Sequence, residues 1–413
     1  MKSYLLGLKD PSDPNNPLNT DMTTHPVCPT TGGFQEAVYD LDKARSELDR
    51  DAITAAPASL GIWRWGSLLP LRDSTNIVSL REGNSPVVKC DRLGEELGFQ
   101  NIYFLDESRN PTGSFKDRGA SVTVSKCKEV GVTGMVLASS GNAATSFCAY
   151  TAKAGIPFYG FMRRESSDVH KLQSLSYGQH VLVVEGDMVD GTKLAQKVAD
   201  AHGYFHCTQP YNLYRAEGKK TAAYEICEAL NWRAPDRVLI PTAGGTNALA
   251  FHKAFCELRA LGWIDSIPAI DIVQSTNCAP IYRAWKSGEP VEYWQENTCR
   301  SVGLGHPFPS AGDRVVEIMK ETGGRCWLVE DQANFEASRR LASLEGLFLQ
   351  PASASPATVL AGLEGAQKKE LAGQTIVCVG TGSGKNQVDG PLEELSEPPF
   401  IAATLEAFDR AMR

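Results

Sequence analysis

A lysine stands at the start of a helical pattern in NPTGSFKDRG (110–119), where Ser114 and Phe115 precede Lys116 and Asp117 follows it. The positive end of a helix macrodipole disfavours a cation there, so the neutral amine is easier to reach. A neutral amine is what Schiff-base chemistry with a carbonyl compound requires. Read alone, the same residue is equally a solvated helix start. A second segment, ASSGNAATS (138–146), runs from a strand into Ser139, Ser140, Gly141 and Asn142 and then into a helix. Backbone N–H groups and a carboxamide at such a turn suit a carboxylate or a phenolic oxygen, and N-capping explains the turn nearly as well. In the third, LIPTAGGTNALAF (239–251), residues Thr242, Gly244, Gly245, Thr246 and Asn247 form a small-residue loop shaped for phosphate. It is neither a Walker loop nor GxGxxG. The fourth, VCVGTGSGKN (377–386), resembles half a P-loop, but Val379 stands where the first glycine is required and no Ser or Thr follows Lys385.

Positioning such turns takes alternating strands and helices, and from about residue 100 the chain supplies them. NIYFLDE (101–107) reads as an apolar strand, SFKDRGASVTVSKCKEVG as a helix closed by Gly131, and Met135–Ala138 as a strand. Helical spacing over Asn142–Ala154 stops at Gly155, ahead of Pro157. Strands expected at 158–162, 180–185, 237–241, 269–274 and 375–379 are interspersed with helices at 168–177, 191–202 (capped by Asp190) and 247–261. This alternation predicts a mostly parallel sheet covered on both faces, with ligands at the turns that follow the strands. Upstream, residues 9–35 read as an irregular arm and Gly33–Arg50 as helical. GIWRWGSLLPL (61–71) sets Trp63 and Trp65 beside an apolar run, for core packing or an interface. Residues from Pro391 read as a tail with a helix at 403–412.

Composition narrows the class. The 413 residues include 41 basic and 49 acidic side chains, net −8, so no global basic field awaits nucleic acid. Hydrophobic residues at 42% and charged residues at 22% exclude global disorder. No apolar run reaches the roughly 18 residues of a membrane span, and the N-terminal apolar patch is too short for a signal peptide. The closest of the eleven cysteines, Cys207 and Cys227, lie 20 residues apart, so no tight ligand pair exists and no metal site is expected. A reduced cytoplasmic protein with buried thiols is the expectation.

Together, a reactive lysine, an anion turn, a phosphate cup and a hydroxyl at a strand end are the parts for holding pyridoxal phosphate. The chain resembles the fold-type-II pyridoxal-phosphate enzymes (tryptophan synthase β-like in fold), and within them the threonine synthase branch. The likeness runs through GIWRWGSLLPL, EGNSPVVKCDRLGEELG (82–98), ESRNPTGSFKDRG, the SSGN turn, YRAEGKKTAAYEI (214–226), AGGTN, LEGLFLQPASAS (344–355) and VGTGSGKN, in the family's order. NPTGSFKDRG and EGLFLQPASAS are its specific motifs; the glycine loops alone are not.

The resemblance implies two three-layer α/β domains with mostly parallel twisted sheets. The large cofactor domain would comprise 76–125 and 232–390 and the small one 126–231, with an arm and helical extension at 1–75 and a tail at 391–413. By matching position, Lys116 would hold the cofactor as a Schiff base and later shuttle protons. Asn142 would bond its 3′ oxygen, and Gly244, Gly245, Thr246 and Asn247 would cradle its phosphate. Ser139, Ser140 and Gly141 would hold the substrate carboxylate. Thr381 would set a hydroxyl at the pyridine nitrogen; being neutral, it does not enforce a pyridinium, so the ring is a milder electron sink. Phe115 is a ring contact or a core anchor. His170, His180, His202, His206 and His252 read as structural, leaving Lys116 as the main base.

The implied reaction converts O-phosphohomoserine and water to threonine and phosphate. Near the substrate-phosphate stretch Asn212 and Arg215 match the family, but Pro210 replaces a serine and has neither hydroxyl nor N–H to offer. Gln350 replaces a common acid, and Ala-Gly-Gly-Thr-Asn replaces Gly-Asn-x-Gly-Asn. Arg215 still suits a phosphate, sulfonate or carboxylate. These departures leave open a specialised enzyme using O-phosphoserine or another activated amino acid with a nucleophile other than water, as in cysteate synthase-like or natural-product chemistry. A catalytically quiet cofactor-binding regulator is a further alternative. A nicotinamide enzyme lacks its fingerprint here. The family implies a homodimer acting on a small amino acid with an anionic group; the family's zinc-like cysteine pair is missing from the arm, where only Cys28 lies.

Overall fold

Six strands make the larger sheet of the computed structural model, which describes residues 2–10, 18, 35–208, 212–387, 398 and 400–411. Their order is Cys326–Val329, Ala269–Ser275, Arg237–Pro241, Thr375–Gly380, Asn101–Asp106 and Val87–Lys89, parallel except for the last pair. A four-stranded parallel sheet has the order His180–Val184, Phe158–Arg163, Met135–Ala138 and Phe205–His206. The central strands bury both faces, because successive side chains point to opposite sides. Val238, Ile240, Val377 and Val379 enter one hydrophobic core, while Leu239, Ile376 and Cys378 enter another. This is the α/β architecture of fold type II.

Several local expectations change. Within the stretch expected to be helical, Glu36–Tyr39 is a strand paired antiparallel with Leu5–Lys9, followed by short helices at Leu41–Glu47 and Arg50–Thr54. Alternation decides it: Ala37 and Tyr39 are buried and their neighbours are not, which a strand satisfies and a helix does not. The helix expected from residue 191 begins at Met188, and its N-cap is Asp187, which accepts from Val189 and Asp190 N–H groups; Asp190 answers from the third position. Trp63 and Trp65 are buried, Trp65 packing with Tyr224, Trp232 and Trp263. Cys28, Pro210 and most of residues 9–35 lie outside the described residues, and the tail helix expected at 403–412 is Leu405–Ala411.

The chain passes from the larger sheet to the smaller along the helix Lys116–Glu129 and returns along Tyr214–Ala229. These two helices cross at glycines. A Cβ on Gly119 would lie 2.9 Å from the Arg215 carbonyl oxygen, and one on Gly218 would run into that of Arg118. Beside the crossing, the buried Arg118 guanidinium donates to Glu107 at 2.8 and 2.6 Å, to Glu225 at 2.5 Å and to Thr221 at 2.9 Å. Burial opposes this charge, but Glu107 and Glu225 outweigh it and raise the Arg118 pKa. The end of the strand Asn101–Asp106 and both crossing helices are thereby tied at one buried point. Gly218→Ala is expected to cost about 1–3 kcal/mol, as overfilled interiors do, and Arg118→Met about 3–5 kcal/mol, because two carboxylates stay buried without their partner. Both should appear as lower urea midpoints of unfolding.

Candidate active site

All four segments singled out in the sequence line one cleft: Phe115 and Lys116, Asn142, Gly244 to Asn247, and Thr381. The loops hold one another. The Phe115 N–H donates to the Thr381 carbonyl at 3.0 Å and the Ser383 N–H to that of Gly113 at 2.8 Å, so the lysine turn lies on the last glycine-rich turn. Lys116 is the first residue of its helix. Behind it the buried Asp117 carboxylate accepts from the Thr112 N–H at 2.7 Å and from the Thr112 and Ser146 hydroxyls, each at 2.6 Å. Burial nevertheless pushes Asp117 up to about 7.

Two amines, Lys116 and Lys219, line the cleft, and the Arg215 guanidinium, not itself a lining residue, is near enough to act on both. Burial first, then the charge of Arg215, lowers the Lys116 pKa to about 7, so much of this amine is neutral near neutral pH. Arg215 is itself buried, which pulls it down to about 10, and it donates to the Cys207 carbonyl at 3.3 Å. Lys219, one turn further along the same helix, also lines the cleft, with Nζ 3.0 Å from Asn247 Oδ1. The Phe115 ring serves both amines, 4.3 Å from Lys116 Nζ and 5.0 Å from Lys219 Nζ. Among the described residues, no carboxylate is within ion-pair distance of Lys116, Arg215 or Lys219.

Neutral groups complete the site. Asn142 Nδ2 donates to Gln350 Oε1 at 2.7 Å, and its Oδ1 accepts from Asn386 at 2.9 Å. Gln350 Nε2 is buried without a partner in a side chain that borders the cleft. The Thr381 and Ser353 hydroxyls are 2.7 Å apart. Ser139, Ser140 and Gly141 lead into the Asn142 helix, and Ser140 Oγ accepts from the Arg163 N–H at 3.2 Å. His170 is buried under this turn, its Nδ1 3.2 Å from Thr145 Oγ1, and burial lowers it to about 4, so it is neutral. Asn212 is not brought into the cleft: its amide is engaged with Thr123 at 3.2 Å and the Cys207 carbonyl at 3.5 Å. Sequence reasoning passed over Lys219, although its i, i+4 spacing from Arg215 puts both on one helix face, and it gave Gln350 no role beyond being a departure.

Residues 78–382 match the family described as pyridoxal-phosphate dependent enzyme. The chain belongs to that family. Its cofactor is pyridoxal phosphate. The threonine synthase of Methanocaldococcus jannaschii is 32% identical over 388 residues, covering 92% of this chain and 94% of that protein. The threonine synthase of Methanosarcina acetivorans is 32% identical over 392 residues, 94% of each. Among solved structures, the processed form of threonine deaminase isoform 2 from Solanum lycopersicum superposes with a TM-score of 0.66 at 18% identity, covering 85% of this chain and 94% of that one. At that identity the likeness speaks for the fold. Among the described residues, no helix of the enzyme is long and apolar enough to cross a membrane.

The cleft of this enzyme fits its cofactor. Two lysines with no carboxylate in ion-pair distance among the described residues, and the buried Arg215 acting on both, suit a ligand that brings a phosphate, and Gln350, with its unpartnered amide nitrogen, borders the same space. Schiff-base formation by the apoenzyme is expected to accelerate as pH rises through about 7, because the neutral Lys116 amine is the nucleophile. Stopped-flow absorbance of the visible band on mixing with cofactor checks this, and Lys116→Ala is expected to show no band.

Proposed function

We propose that the enzyme carries out elimination and replacement on the side chain of an activated amino acid, converting O-phosphohomoserine and water to threonine and phosphate. The observation that carries this reading is Arg215, buried beside Lys116 with no carboxylate to neutralise it among the described residues. A buried guanidinium in that state is suited to an anionic group arriving with the substrate. When bound, pyridoxal phosphate supplies the electron sink that makes α-protons removable. The Lys116 amine, neutral in part near pH 7, takes the proton from Cα, passes it on, and is then free to take one from Cβ. Arg215 binds the leaving phosphate at Cγ, and the turn Ser139–Gly141 orients the carboxylate. Thr381, held by Ser353, presents a hydroxyl without imposing a charge. The 32% identity to threonine synthases over most of the chain supports the same reading.

Gln350 favours a second reading. A neutral amide where the family commonly has an acid cannot take a proton from an attacking water, which suits O-phosphoserine or another activated amino acid with a nucleophile such as sulfite or sulfide. We also read the protein as a cytoplasmic homodimer, on the family resemblance and on the ten free cysteines among the described residues, eight of them buried.

Holoenzyme mixed with O-phosphohomoserine, O-phosphoserine and O-acetylserine, with and without sulfite or sulfide, separates these readings through phosphate release and product mass. Threonine from O-phosphohomoserine is the expected outcome; product only with sulfite or sulfide selects the second reading. Arg215→Met is expected to lower kcat/KM for phosphate-bearing substrates by about 100-fold or more while the visible cofactor band persists, the usual scale for unpairing a buried charge.

A further inference from the structure

The face of the Tyr214–Ala229 helix that presents Arg215 carries a second buried cation that the proposed chemistry does not use. Lys219 is 2% exposed, and its Nζ reaches Asn247 Oδ1 at 3.0 Å. Its neighbour Lys220 is equally buried but is paired with Glu217 at 2.8 Å and Glu257 at 3.0 Å. Lys219 has no carboxylate within ion-pair distance among the described residues. Burial without a counter-charge disfavours an ammonium, so the charged form is favoured there only once an anion joins it.

The turn that Lys219 touches is built for an anion. Gly245 adopts a left-handed φ of 88°, where a side chain would also press on Val315, and the helix Thr246–Ala260 begins directly after it. A helix start offers unpaired N–H groups and a positive dipole end. Gly244 stands where the Gly-Asn-x-Gly-Asn pattern has its first asparagine, and the side chains the turn does carry, Thr246 and Asn247, are neutral.

We propose that Lys219 is the counter-ion of the cofactor's phosphate group, supplying from the neighbouring helix the positive charge that the turn lacks. This rests on the assignment of Gly244 to Asn247 as the phosphate cup. In the absence of an anion, burial and the charges of Lys116 and Arg215 hold the Lys219 amine well below the usual lysine range. An incoming phosphate dianion reverses that balance, so Lys219 takes a proton from solvent as cofactor binds. Lys219 then offsets one of the two phosphate charges, the helix start faces the other, and Arg215 stays available for the anionic group of the substrate.

Apoenzyme titrated with pyridoxal phosphate and with pyridoxal, which lacks the phosphate, tests the pairing through the Kd read from the visible band. Wild type should prefer the phosphorylated form strongly. Lys219→Met should weaken pyridoxal phosphate by about 10-fold or more and leave pyridoxal within about twofold, and Lys219→Arg should restore the preference. The phosphorus resonance of the bound cofactor should titrate differently in the Met variant. If that variant does not fold, Lys219→Gln carries the same expectation. A wild type that binds both forms alike overturns the phosphate cup and the inference with it. A wild-type preference that persists in full in Lys219→Met overturns the role of Lys219 alone, as does an equal loss for both ligands.

Discussion

Two helices can approach as closely as Lys116–Glu129 and Tyr214–Ala229 do only because Gly119 and Gly218 carry no side chains at the crossing. That contact fixes the site. Lys116 lies three residues before the first glycine and Arg215 three before the second, so each charged side chain leaves its helix one turn upstream of the same crossing. Arg118 holds the arrangement from behind through Glu107 and Glu225, which come from the strand end and the returning helix. The distance between the amine and the guanidinium is therefore a property of helix packing and does not depend on loop conformation. This is the rigidity a preorganised site needs.

The same geometry explains the charge pattern. Carboxylates next to the crossing are spent on Arg118, Arg64, Lys220 and Lys253, on the sides away from the cleft. Besides the two lysines, the polar side chains lining the cleft are amides and hydroxyls, Asn142, Thr246, Asn247, Gln350 and Thr381, with Asn386 and Ser353 bonded behind them. The cations are thus left for anionic ligands, and low pKa values follow from burial and mutual repulsion without a dedicated base. Fold type II can host many reactions on one cofactor, and here the side chains that distinguish them are few.

Much of the site was legible because strand-to-helix turns have strong local signatures. Lys116, the SSGN turn, the AGGTN turn and Thr381 are contiguous motifs, and the structure brings Lys116, Asn142, Gly244 to Asn247 and Thr381 to one cleft, with Ser139 to Gly141 outside its lining. What was not legible depends on partners far apart in sequence. Glu36–Tyr39 is a strand because Leu5–Lys9 lies beside it. The close approach of Gly119 and Gly218, about 100 residues apart, has no local trace. Asn212 matches a motif yet turns towards Thr123, since a helix end beside a buried hydroxyl offers it two hydrogen bonds. Lys219 and Lys220 are adjacent and alike in sequence; only the packing separates a lysine with two glutamates from one with none.

The larger sheet has the fourth of its six strands in spatial order filled last. Thr375–Gly380 sits between Arg237–Pro241 and Asn101–Asp106 and bonds to both. The smaller sheet, by contrast, is contiguous from residue 135 to 206. During synthesis the smaller sheet can close while more than a third of the chain is still to come, whereas the larger one keeps an open gap at its middle until residue 380 has emerged. Because the turn after that strand also clamps the lysine loop, a cofactor-holding cleft is among the last things this chain completes. A nascent or truncated chain is then left with two unpaired strand edges, a template for association that the finished protein hides.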